Sequence, residues 1–164
     1  MSKLQLIRLS GLAAMLGGLM LIPGSISFDP PWSVIGMFGS VLLVFGLIGI
    51  YAVQTEKSGV AGFFGFVLSV VGAVLLSGNG DLAGVPAWMI GSGFAALGIV
   101  LLAIGTFASG SFPRWVPWVW LAAVVVGFPG VLVESLAQTL GVAGSILSAL
   151  GMVGAGYALW SRPN

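Results

Sequence analysis

The sequence contains no cysteine and no histidine, and its 164 residues include only five basic and four acidic side chains. Without cysteine there can be no disulfide, thiolate metal site, iron–sulfur cluster or thiol-linked lipid. Without histidine the chain lacks the commonest ligand for haem, copper or zinc and the usual proton shuttle. Soluble domains carry roughly 25% charged residues, whereas here the share is 5%. That is too little polar surface to clothe a globule in water. A net charge of +1 gives no electrostatic reason to bind nucleic acid. Chemical motifs are missing too: no phosphate-binding loop followed by Lys and Ser or Thr, no nucleophile–base pair and no two carboxylates at catalytic spacing.

Apolar residues make up 59% of the chain, and there are 27 glycines. This is the composition of helices dissolved in lipid, where glycine is tolerated and lets backbones approach closely. The hydrophobic runs predict six spans, at about 9–27, 33–53, 60–76, 86–108, 114–135 and 140–160. Each has the length needed to cross a hydrocarbon core of ~30 Å at ~1.5 Å per residue. The first run has the basic start of a signal peptide, but no small-x-small cleavage site follows, so it is expected to be retained as a span. FDPPW at 28–32, QTEKSG at 54–59, SGNGDLAG at 77–84 and SGSFPR at 109–114 read as short connections. The whole chain, 1–164, is therefore expected to be one transmembrane domain.

The charges test this partition independently. Six spans place Lys3, Arg8, Lys57, Arg114 and Arg162 on one side, joined by Glu56, and Asp29, Asp81 and Glu134 on the other. Basic residues in short loops mark the cytoplasmic face. The expectation is a protein of a prokaryotic cytoplasmic (inner) membrane with both termini in the cytoplasm.

Sliding the sequence by 106 residues lays Arg8 on Arg114, Pro23 on Pro129, Gly24 on Gly130, Tyr51 on Tyr157 and Ala52 on Ala158. A fainter middle copy matches Gly24 to Gly78 and GIYA at 49–52 to GTFA at 105–108. The fold class expected is an all-α membrane bundle of six helices in three parallel hairpins with an internal repeat, at 8–53, 60–108 and 114–160. An even number of spans per copy preserves orientation, unlike the inverted repeats of many carriers.

Small residues at spacings of three and four predict helix-packing seams through Gly17, Gly65, Gly72, Gly91, Gly98, Gly144 and Gly151. Pro23–Gly24 and Pro129–Gly130 predict kinks or ends of matching helices. Glu134, Asp29 and Asp81 are the ion or proton candidates, one per hairpin, as an acidic rim; turn aspartates and an interfacial Glu read the same way. Trp115, Trp118 and Trp120 are the ligand-contact candidates, although an aromatic belt at the membrane boundary also explains them. Hydroxyls inside the spans, such as Ser40, Ser69, Ser92 and Thr106, are expected to bond back to their own helices.

The functional expectation is a non-enzymatic accessory or scaffold subunit packed against other integral membrane proteins or copies of itself. A small transporter or channel is the alternative, and a binder of a lipid, quinone or pigment a weaker one. No metal, haem or iron–sulfur cluster is expected; structural lipid is.

Overall fold

The computed structural model describes residues 2–27, 29–77 and 80–162, without the side chains of Leu132 and Glu134. The chain is a multi-pass α-helical membrane protein. Five helices are long and apolar enough to cross a membrane: α1 (Lys3–Ile26), α2 (Trp32–Gln54), α3 (Gly59–Leu76), α4 (Ala87–Ser109) and a last one at Ala137–Trp160. Between α4 and that last helix lie α5 (Trp115–Gly127) and the single turn α6 (Pro129–Leu132), so the last is α7. A 3-10 turn at Glu134–Leu136 leads into α7.

The helices begin and end for local reasons. The Ser2 side chain accepts from the Gln5 N–H while the Gln5 side chain accepts from the Ser2 N–H, a reciprocal cap that starts α1 at Lys3, earlier than the apolar run predicts. Gly110, at φ 60°, ends α4 in a left-handed conformation, with its N–H returned to the Thr106 carbonyl. The expected loop before α4 contains a two-stranded hairpin in which Asp81 faces Pro86 and Leu82 faces Val85. Ala83 (φ 54°) and Gly84 (φ 80°) supply the two positive-φ positions that a tight hairpin turn requires.

The segment expected as a single span at 114–135 forms a shorter apolar helical stretch, Trp115–Val131. Pro129 has no N–H to return to the Val125 carbonyl, which marks the step from α5 to α6, but Phe128 keeps helical dihedrals (φ −63°, ψ −37°) and the chain turns extended only at Val133. Pro23 likewise lies within a helix, α1, which continues to Ile26. Both segments finish alike. The N–H four residues after each proline bonds its carbonyl, Ser27 to Pro23 at 3.4 Å and Val133 to Pro129 at 3.0 Å.

Close backbone approach organises the bundle. α1 packs antiparallel on α2, α3 on α4, and α5 on α7, while α7 also lies along α1. A Cβ on Gly17 would sit 2.6 Å from the Leu43 nitrogen, and one on Gly46 the same distance from Ala14 Cα. On α3, Gly65 meets the backbone of Leu102, and Gly72 that of Ala95. On α4, Gly91 meets Leu75 and Leu76, and Gly98 meets Ser69. Gly144 of α7 sits against Gly127, and Gly151 against the Trp120 ring. Lipid tails are as apolar as leucine, so helices in a bilayer gain nothing from hiding apolar side chains, and contact of this kind is what holds them. The larger apolar core gathers where α2, α4, α5 and α7 meet, around Leu47, Leu102, Val116, Trp120, Met152 and Leu159.

Candidate functional site

Hydrogen bonds draw four helix ends together at one end of the bundle. Arg8 of α1 donates through Nη2 to the Arg162 carbonyl at 2.7 Å, just past the end of α7. Arg162 donates in turn to the Ser111 carbonyl, between α4 and α5, at 3.2 Å. The Thr106 hydroxyl, near the end of α4, donates to the Gln54 side-chain oxygen at the end of α2, at 2.9 Å. Exposed Glu56 and Lys57 occupy the α2–α3 turn, and exposed Arg114 precedes α5. The start of α1 and the end of α7 thus lie at one basic end, and Asp29 and Asp81 lie in the connections at the other.

Inside this basic end is a buried polar cluster. Gln54 is fully buried, Ser58 3% exposed and Thr106 1% exposed. Among the described residues, the Gln54 amide nitrogen and the Ser58 hydroxyl have no hydrogen-bond partner. Unlike Ser40 and Ser92, which bond to the carbonyls four residues back, Thr106 spends its hydroxyl across the helix interface. Such interhelical bonds in membranes average about 0.6 kcal/mol and reach about 1.7.

Two clefts border α7. One, of about 460 Å³, is lined by Arg8, Tyr157, Trp160, Ser161 and Arg162. The other, of about 400 Å³, is almost wholly apolar and lies between Met15 of α1, Trp115 and Val119 of α5 and the α7 residues from Leu150 to Tyr157. Tyr157 belongs to both.

The structure separates the three tryptophans. Trp120 is fully buried in the core, whereas Trp115 is 50% and Trp118 63% exposed. Trp118 packs edge-on against Phe107 at 5.2 Å between ring centroids, and only Trp115 lines a cleft described above. Trp120 packs within the core cluster. Asp29 and Asp81 are exposed, and Asp29 is engaged locally, its N–H donating to the Ser27 hydroxyl at 3.1 Å. The Glu134 backbone lies in the 3-10 turn, but its side chain is outside the described atoms, as is Gly78 of the faint middle repeat. Gly24 abuts Gly36, and Gly130 abuts Ala137 and Leu140, so both residues after the prolines sit at helix contacts. Among the described residues, no three His, Cys, Asp or Glu side chains gather where they could hold a metal ion.

Sequence reasoning missed Gln54, which it placed in a polar turn. The signal was there: Gln54 continues the buried stripe of Leu43, Leu47 and Ile50 at helical spacing. It also missed that Arg8 and Arg162 meet. No protein-family model, curated protein or solved structure matches the chain.

Proposed function

We propose that this protein is a non-enzymatic accessory or scaffold subunit of the cytoplasmic membrane that works by packing against another integral membrane protein. The observation that carries the reading is a pair of unused glycines. A glycine within a helix is less favourable than alanine by about 1 kcal/mol, and most helical glycines here meet a neighbour at close range. Gly93 of α4 and Gly141 of α7 do not: none of the described atoms lies within 4 Å of where a Cβ would stand. Small membrane-embedded surfaces of this kind accept the backbone of a further helix. The connections between helices are short, so a partner would be met mainly within the bilayer.

In this reading the basic end faces the cytoplasm, following the distribution of lysine and arginine. The three helix pairs are copies of one hairpin, and the matched endings after Pro23 and Pro129 support the first and third copies.

The test is gentle extraction of the tagged protein from its native membrane, with mass spectrometry of what accompanies it. A membrane protein recovered in stoichiometric amount, and lost on Gly93→Leu or Gly141→Leu without loss of thermal stability, is the expected result. Recovery of this chain with lipid alone overturns the reading.

A further inference from the structure

The two clefts beside α7 adjoin at Tyr157, which lines both, and have opposite chemistry. At the basic end stand Arg8 and Arg162. Both guanidinium groups donate to backbone carbonyls, of Arg162 and Ser111, and neither is paired with a carboxylate among the described residues. The Arg8 Nε is buried and has no hydrogen-bond partner among the described residues. Two positive charges lining one cleft favour an anion there. Arginine suits phosphate, because its planar fork presents several donors to the phosphate oxygens.

Past Tyr157 the second cleft is apolar. Gly154 forms part of its surface, and a side chain there would collide with the Trp115 ring. From Trp160, the last residue of α7, back to Leu150 is ten residues, or ~15 Å at ~1.5 Å per residue. One leaflet of the hydrocarbon core is about 15 Å deep, half of ~30 Å. The groove thus starts at headgroup level and ends near the bilayer midplane, the dimensions of one acyl chain. Tyr157 and Trp160, exposed and amphipathic, stand where the two chemistries meet, at the depth such rings prefer.

We propose that this groove is a binding site for an anionic phospholipid of the leaflet at the basic end. Its phosphate sits at Arg8 and Arg162, and one acyl chain lies between Met15, Trp115, Val119 and Val153. A zwitterionic lipid offers the same chain but cancels the charge that the arginines meet, so the site selects for net negative headgroups. This site is independent of the docking surface at Gly93 and Gly141.

The experiment is native mass spectrometry of the purified full chain, titrated with phosphatidylglycerol or phosphatidylcholine of matched chains. The wild type is expected to hold one phosphatidylglycerol about tenfold more tightly than phosphatidylcholine. Arg8→Gln with Arg162→Gln should remove that preference, and Val153→Trp should weaken both lipids by filling the slot. Arg114→Gln, outside both clefts, should change neither. Equal binding of the two lipids by the wild type overturns the proposal without need of any variant. So does an equal loss in Arg114→Gln, which marks diffuse surface attraction, or occupation of the groove by a second copy of the chain. Because Arg8 also ties α1 to the end of α7, Arg162→Gln alone is the companion variant should the double one fail to fold, and it too must lower the preference.

Discussion

The Thr106 hydroxyl reaches from α4 to the side-chain oxygen of Gln54 on α2, at 2.9 Å, inside the fully buried polar cluster of the basic end. The pair is asymmetric. Thr106→Val leaves the whole Gln54 amide buried and unpartnered, for an expected loss of about 1–2 kcal/mol. Gln54→Met deletes an amide whose nitrogen is already unpartnered, and frees the Thr106 hydroxyl to turn to the Leu102 carbonyl one turn back. That variant should be neutral or gain up to about 1 kcal/mol. Reversible unfolding in mixed micelles decides it; an equal loss in both variants contradicts the asymmetry.

Glycines in the same bundle should respond to alanine with opposite signs. A Cβ on Gly65 overlaps the backbone of Leu102, and one on Gly98 overlaps that of Ser69, where backbone cannot yield as a flexible side chain would. Gly65→Ala and Gly98→Ala should each cost about 1–3 kcal/mol by forcing α3 and α4 apart. Gly93 has open space beside it, so Gly93→Ala should gain up to about 1 kcal/mol from helix propensity. Thermal unfolding of the three detergent-purified variants gives the answer, and a shared sign counts against the seam.

How far the residues announced this fold depends on the scale of the feature. The hydrophobic runs located the five long helices because each must cover the hydrocarbon thickness, and Gly65, Gly72 and Gly98 marked an interface because only small residues permit backbone contact. The early start of α1 was readable in Ser2 and Gln5, three residues apart, as a cap. Whether Pro23 and Pro129 kink their helices or end them was not readable, since a Pro-Gly pair has the same local chemistry in both cases. What differs is tertiary: Gly24 packs on Gly36, Gly130 on the start of α7. Likewise the meeting of Arg8 with Arg162 joins residues 154 apart in the chain, a relation no local pattern encodes.

Trp120 and Gly151 should be energetically coupled. The indole is fully buried, and its edge lies where a Gly151 side chain would go. Trp120→Ala should cost about 3–5 kcal/mol, against about 1 kcal/mol or less for Trp118→Ala, whose ring is 63% exposed. Gly151→Ala alone should destabilise by collision with the ring. In the double variant the methyl finds the space the ring vacated, so the combined loss should fall short of the sum by about 0.5–3 kcal/mol. Strict additivity contradicts the contact.

The absence of cysteine makes the membrane topology directly measurable, since any single introduced thiol is the only one in the chain. Thr55, Ser77, Ser135 and Ser161 are exposed, uncharged and placed at helix ends, so replacing them leaves the basic residues that set orientation untouched. Ser135 follows α5 and α6, which together form the shorter apolar stretch Trp115–Val131. At 17 residues and ~1.5 Å per residue it is ~26 Å long, just short of the ~30 Å core. If this segment crosses, Thr55→Cys and Ser161→Cys react with a membrane-impermeant maleimide only after the cells are opened, while Ser77→Cys and Ser135→Cys react in intact cells. If it enters and returns on the same side, α7 must run the other way: Ser135→Cys becomes protected and Ser161→Cys reacts from outside. The bond between Arg8 and Arg162 fits the first pattern and not the second, because it holds the start of α1 and the end of α7 at one end of the bundle.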